Sequence, residues 1–317
     1  MGRVAICFFG LVKNINHVRQ SLEQHIFQPL RAQGYDYELF AHTYTIDLYS
    51  NKRNAETELP LQYRSIEQLR TPTTRLTVKY SDPIAVDKAY PLQHYLRNGD
   101  PWPDNPGQTM KYFLRQLYSL QQVTALWKAR ASTFDFVVYL RPDTRFHNDL
   151  VLNPRLAEGQ IATPTFHTGN HCNDRFAYGH PPEMIKYGER LKGLDNYMNT
   201  TRKPPHAERY LKWYCTSQKI TPVPCPILFS RIRANGRNWD HGVKMAAKKL
   251  TVSVPARAVS VPSVPSVPSV PSVPSAHKVA KATLVARRLA KAKQRAVLVK
   301  KRAALIKQRI AHNKKSK

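Results

Sequence analysis

The stretch Phe134-Asp135-Phe136-Val137-Val138-Tyr139-Leu140-Arg141-Pro142-Asp143 is a nearly continuous apolar run that stops abruptly in Arg-Pro-Asp. An apolar run without alternation is what a strand buried on both faces requires, and such strands belong to parallel sheets covered by helices. Pro142 has no N–H to give to a ladder, so the strand ends there. Ligands of open α/β sheets bind outside the carboxyl ends of the strands. Arg141 and Asp143 are thus delivered to a ligand edge as one cation and one anion, suited to a phosphate-bearing ligand and its metal. The alternative is an Arg–Asp pair that only closes the strand end.

The flanking sequence fits a parallel sheet. Gly107–Arg130 carries apolar residues at 110, 113, 114, 117, 120, 123, 126 and 127, one helical face, and leads directly into the buried run. Earlier, Arg3–Gly10 reads as a buried strand, His17–Gln33 as a helix closed by Gly34, and Tyr35–Tyr44 as a second strand. Strand–helix–strand order is the signature of a parallel sheet. Residues 45–74 are polar and irregular, with a short helix near Ser65–Arg70. Arg75–Tyr80 reads as a strand, Ile84–Leu96 as a helix and Asn98–Gly107 as a loop. Further on, Ile161–Phe166 and Asn173–Gly179 read as strands, and Pro181–Leu191 and His206–Ser217 as helices. Val223–Ile232 reads as a last strand whose prolines place it at an edge. Residues 1–240 are therefore expected to form one α/β domain.

The 317 residues carry 50 Lys/Arg against 21 Asp/Glu, a formal charge of +29. Residues 241–317 hold 19 of the basic residues and no acid, leaving 31 against 21 in residues 1–240. Residues 261–275 are five copies of Val-Pro-Ser. Proline at every third position favours polyproline II at roughly 3.1 Å per residue, so this repeat spans roughly 45 Å. Residues 241–277 are expected to be a disordered linker. Residues 278–317 repeat alanine, valine, leucine and isoleucine at spacings of three and four among Lys and Arg. They read as a basic tail, helical on an anionic partner such as nucleic acid or an anionic membrane surface. The tail has no aromatic residue for base stacking or interfacial anchoring, which argues against specific readout. Cys7, Cys172, Cys215 and Cys225 show no zinc or CxxC spacing and read as reduced thiols in a cytosolic setting. The apolar run Val4–Val12 is too short to span a bilayer and lacks a cleavage site, so no anchor or signal peptide is expected.

Several side chains are candidates for chemistry. Gly10, in the loop Phe9-Gly10-Leu11-Val12-Lys13-Asn14, allows a ligand close to the backbone, and a following helix N-terminus favours phosphate. The loop is not a GxGxxG, which weakens a dinucleotide reading. His42 ends the second strand. Asp174 and Glu208 lie in Asn173-Asp174-Arg175 and His206-Ala207-Glu208, and Glu208 suits either a first-turn acid or a general base. His167, His171 and Cys172 have only loose metal spacing, which disfavours zinc. No GxSxG, HExxH or P-loop pattern occurs.

Taken in order, VAICFFGLVKN, YDYELFAHTY, RQLYSLQQV, FDFVVYLRPD, NDRFAYG and HAERYLKWY resemble a family of glycosyltransferases found in large DNA viruses of algae and in some microbes, over about residues 3–230. The resemblance implies a GT-A-like (Rossmann-like) αβα sandwich with a mainly parallel central sheet. It further implies transfer of a sugar from a nucleotide-sugar donor to an acceptor hydroxyl of a glycan or glycoprotein, in the host cytoplasm or in association with a virion. Enzymes of that fold hold Mn²⁺ or Mg²⁺ on an Asp-x-Asp motif. Here only Asp143 of that motif is present, so either Asp143 ligates the ion or Arg141, Arg231 and Arg233 neutralise the diphosphate directly. The implied donor-binding set is Phe9, Gly10, His42, Arg141, Asp143, Arg231 and Arg233. Glu208 would be the base of a single inverting displacement, with Asp174 second in line. The rival readings are a catalytically inactive glycan- or nucleotide-binding virion module and a nucleic-acid-binding protein acting through the tail.

Overall fold

The structure, a computed structural model, describes residues 1–166 and 171–239. The linker and tail expected at 241–317, and His167, lie outside the described residues. Strand β1 (Gly2–Phe9) runs through the middle of a seven-stranded sheet. Its side chains alternate between two buried faces. Val4, Ile6 and Phe8 enter one core, and Ala5, Cys7 and Phe9 enter the other.

After β1 the chain makes a short 3-10 turn and then helix α1 (Arg19–Leu22), a π turn at Glu23–Phe27 and α2 (Gln28–Ala32). Pro29 accounts for the irregularity. It has no N–H for the carbonyl four residues back, that of His25. Leu150 N–H takes that carbonyl instead, at 2.8 Å. Leu22, Ile26 and Leu30 from this helical run cover the Val4–Phe8 face.

Strand β2 (Tyr35–Tyr44) lies parallel to β1. The segment read as irregular contains a hairpin of β3 (Leu48–Asn51) and β4 (Glu56–Pro60), in which Ala55 and Glu58 take positive φ. Strand β5 (Leu76–Ser81) adds parallel to β2. The helix expected over Ile84–Leu96 is two, α3 (Pro83–Ala89) and α4 (Leu92–Leu96), because Pro91 ends the first and begins the second. Helix α5 (Gln108–Trp127) lays Leu120, Val123 and Trp127 on the Ala5–Phe9 face.

The buried run becomes β6 (Phe136–Leu140), parallel to β1 and buried at every residue. The chain reverses into the short β7 (Thr144–Phe146), then forms β8 (Gln160–Pro164), β9 (Phe176–Gly179), α6 (Pro181–Gly188), α7 (Leu194–Thr201), α8 (Ala207–Ser217), β10 (Thr221–Cys225), β11 (Phe229–Ile232) and β12 (Asn238–Trp239). The seven-stranded order is β10-β8-β9-β6-β1-β2-β5, with β9 alone antiparallel to its neighbours. The region expected as one last strand is two. β10 sits at the sheet edge, where Pro222 and Pro224 cost no ladder bond, while β11 joins β7 and β12 in a separate three-stranded sheet.

The fold is therefore α/β, with a mostly parallel sheet flanked by helices. From β5 inward the order is 3-2-1-4 in this sheet's own count, the beginning of a doubly wound arrangement whose switch point lies between β1 and β6. All four cysteines are free and buried. No helix among the described residues is long and apolar enough to cross a membrane.

The packing of α6 gives a stability test. A Cβ on Gly188 would fall 2.1 Å from Thr124 Oγ1 and 2.5 Å from Tyr139 Oη, two atoms that bond each other at 2.6 Å. Gly188→Ala should lower the urea-unfolding free energy by about 1–3 kcal/mol through overpacking. An unchanged midpoint would show that α6 has room to move away from α5 and β6.

Candidate active site

The parallel strands β1, β2 and β6 end together, and a cavity of about 470 Å³ opens beyond them. That is the size of a small-molecule site at the location a doubly wound sheet reserves for one. Gly10 and Lys13 follow β1, Tyr44 and Ile46 close β2, and Tyr49 and Asn51 come from the hairpin. Helix α5 contributes Tyr112, Phe113, Arg115 and Gln116, and the end of β6 contributes Arg141 and Asp143. Asp174 and Arg175 arrive just before β9, His206 and Glu208 at the start of α8, and Arg231 and Arg233 from β11 and beyond.

Arg141 and Asp143 are locked together. Arg141 Nε and Nη2 each donate to one carboxylate oxygen at 2.8 Å. Lys13 Nζ lies 3.6 Å from the same carboxylate. Burial opposes the charge on Asp143, but Arg141, Lys13 and Arg231 outweigh it and hold the carboxyl well below the usual range. The expected Asp143 metal site does not match this arrangement. Both carboxylate oxygens already bind a guanidinium, and the surrounding charges are cationic. Among the described residues no three His, Cys, Asp or Glu side chains gather to hold a metal. The residues present do not fit the divalent ion that the resemblance implies.

A polar chain runs on from this pair. Arg141 Nη1 donates to Gln116 Oε1 at 2.9 Å, and Gln116 Nε2 donates to Asp174 Oδ2 at 2.8 Å. Asp174 is buried, and Arg175, Gln116, Arg190 and Arg141 overcome that burial to keep its carboxyl below the usual range. Arg175 Nη2 donates to Glu208 Oε1 at 3.0 Å, and His206 Nδ1 lies 3.2 Å from Glu208 Oε2. Burial and the neighbouring Asp174 charge push Glu208 up, against Arg175. The two carboxylates of this site are pushed apart, Asp174 toward the fixed anion and Glu208 toward the higher proton affinity.

Arg231 stands apart. Its guanidinium makes no hydrogen bond or ion pair with a described residue, and burial together with Arg175, Arg141 and Arg233 pushes its pKa down to about 9. A cation kept charged against burial and three like charges gains most from an incoming anion. Lys13 is similar. Burial lowers its pKa, while Asp143 and Glu56 work the other way. Glu56, fully buried, accepts from Ala234 N–H at 2.6 Å and so ties the hairpin to the Arg233 wall.

Two expected donor-binding residues are elsewhere. Phe9 is in the core beneath α5, edge-on to Tyr139 at 6.3 Å, and does not line the cavity. His42 is buried between sheet and helix. Ser119 Oγ donates to the His42 carbonyl at 3.0 Å, so His42 Nδ1 donates to Ser119 at 2.8 Å and Nε2 accepts from Ser81 at 2.9 Å. Burial, with Lys79 nearby, pushes His42 down to about 3, and the ring is a neutral brace. Gly10 does line the cavity, with φ +103, but its N–H is given to Ser119 at 2.7 Å. The helix N-terminus expected there is replaced by a three-residue 3-10 turn. Cations, rather than backbone N–H groups, are what this cavity offers an anion. Arg175, Gln116, Lys13 and His206 belong to the site but were not assigned roles from sequence. Only the adjacency of Arg175 to Asp174, and of His206 to Glu208, hinted at them.

No protein-family model matches the chain, and no curated protein matches it.

The Asp143 pair generates a pH test. A carboxyl whose folded pKa is depressed stabilises the fold fully above its unfolded value of roughly 4, and that contribution is lost as pH falls through the folded value. Asp143→Asn leaves Arg141 with no anion in a buried position and should cost about 3–5 kcal/mol near neutral pH. The gap between parent and variant should narrow in acid. Equal stability in denaturant titrations at neutral pH would show that the pair does not hold the strand end.

Proposed function

We propose that the chain is a glycosyltransferase of GT-A-like fold that moves a sugar from a nucleotide-sugar donor to an acceptor hydroxyl of a glycan or glycoprotein. The observation that carries this reading is the pairing, within one switch-point cavity, of a cation without a hydrogen-bond partner among the described residues, Arg231, with a carboxylate of raised proton affinity, Glu208. Sugar transfer needs both features. A diphosphate must leave as an anion, and a hydroxyl must lose its proton.

The donor diphosphate would meet Arg231, Lys13 and the outer edge of Arg141. These groups are fixed before the reaction, so they stabilise the growing charge on the leaving group without reorganising. The acceptor hydroxyl would be activated at the Glu208 end. Asp174, held ionised by Arg175 and Gln116, keeps Glu208 basic and is a poor base itself. Attack from that end on the anomeric carbon, opposite the departing diphosphate, is a single displacement with inversion. No step passes through a metal ion, because Asp143 is committed to Arg141.

The test is nucleotide release by the full chain from a panel of UDP-, GDP- and dTDP-sugars, with Mn²⁺ and with EDTA. One donor should be hydrolysed slowly, at the same rate in EDTA. Glu208→Gln should lower that rate by about 100- to 10,000-fold, the usual weight of acid–base assistance. Arg231→Ala should weaken donor binding more than any other single cavity substitution. Silence across the panel, with no thermal shift from any nucleotide, would overturn the reading.

A further inference from the structure

We propose that the atom receiving the acceptor's proton is His206 Nε2, with Glu208 as the carboxylate that orients the imidazole. This rests on the glycosyl-transfer reading and specifies how its base end works. Glu208 is poorly placed to meet a hydroxyl directly. Its side chain is 14% exposed, with Oε1 on Arg175 and Oε2 beside His206. His206 is the more open partner, 34% exposed and lining the cavity. Its Nε2 makes no hydrogen bond with a described residue. Trp102 packs against the imidazole with ring centroids 5.1 Å apart at 33°, which fixes the plane of the ring.

The tautomer follows from the neighbours. A carboxylate only accepts, so the 3.2 Å approach of Nδ1 to Glu208 favours the hydrogen on Nδ1 and the lone pair on Nε2. This is the relation of base to orienting acid in a nucleophile–histidine–carboxylate triad, with the acceptor hydroxyl as nucleophile. The charged and titratable groups around the ring are Asp174, Arg175 and His171 from the segment before β9, and Glu208 and Arg209 from its own helix. Burial, then Arg209, work against a charged ring, and Asp174 works for it, leaving the pKa below the ordinary value. The imidazole is therefore neutral, and able to accept a proton, at neutral pH.

The step balances as follows. The acceptor oxygen forms a bond to the anomeric carbon while the bond from that carbon to the diphosphate oxygen breaks. The hydroxyl proton goes to Nε2. The electron pair leaves with the diphosphate, facing Arg231. Glu208 stabilises the imidazolium until water removes the proton.

Two measurements on the full chain test this. In the first, His206→Ala should lose about 100-fold or more in kcat for the donor that the parent turns over, with donor KM nearly unchanged. Imidazole added to the buffer should restore part of the rate, and the acid limb of the parent's pH profile, lying below about 6.5, should vanish. Full kcat in the variant, or a loss that imidazole leaves untouched, would overturn the assignment. In the second, ¹⁵N NMR of imidazole-labelled protein needs no turnover. His206 should be protonated at Nδ1 and bare at Nε2, and Glu208→Gln should disturb that tautomer. Protonation at Nε2 in the parent would overturn the assignment. A parent that hydrolyses no donor would refute the transfer reading alone, while the tautomer measurement still decides the placement of the lone pair.

Discussion

The two parallel hydrogen bonds between Arg141 and Asp143 fix the end of β6, and the rest of the cavity is assembled from that end. The pair turns the chain across Pro142. Thr144 Oγ1 then donates to the Arg141 carbonyl at 2.6 Å and closes the turn. The Asp143 carbonyl accepts from Ile232 N–H at 2.7 Å, and β7 pairs with β11 from Thr144 onward. In this way one ion pair at a strand end brings Arg231, far along the sequence, opposite Thr144 and into the cavity. A guanidinium and a carboxylate in fork geometry are among the few side-chain contacts with the strength and directionality to do this.

From the same pair a line of alternating charge crosses the cavity floor: Asp143, Arg141, Gln116, Asp174, Arg175, Glu208 and His206. Gln116 is the hinge of the line. Its carbonyl faces a cation and its amide N–H₂ faces an anion, and no other side chain of that length offers an acceptor and a donor at once. Buried charges of this kind contribute little net stability, since desolvation offsets most of their attraction. They do fix one arrangement, because every alternative leaves a buried charge unmatched. Members with a partner on each side are held in one protonation state, and at the His206 end the line stops on a ring whose far nitrogen has no hydrogen-bond partner among the described residues.

The central sheet was legible from sequence because burial on both faces erases alternation. The runs at 4–9, 39–44 and 136–140 could belong to little else, and α5 declared its inward face by its period. Parity could also be read, and it shows why Phe9 was misassigned. It shares a face with Ala5 and Cys7, which is the α5 side, so it points into core. What the pattern could not give is which polar residue finds which partner. His42 looks like a ligand at the end of a strand until Ser119 and Ser81, from two other elements, claim both its nitrogens. Gln116 sits on the half-exposed side of α5 with nothing in the sequence to single it out. The β3–β4 hairpin is hard to read because its strands are short and polar, and positive φ falls on Ala55 in the turn and on Glu58 within β4, where glycine or asparagine would have signalled it.

The edge strand β10 bears on the behaviour of the molecule among its own copies. Thr221 N–H faces inward to the Gly159 carbonyl at 2.8 Å, so N–H groups at alternate positions from Thr221 face the sheet and those of residues 222 and 224 would face outward. Both of those residues are proline. The outer rim of β10 therefore presents carbonyls and no donors across its middle. A neighbouring chain arriving in extended form would find nothing there to donate to its own carbonyls, and the edge cannot seed a continuous intermolecular sheet.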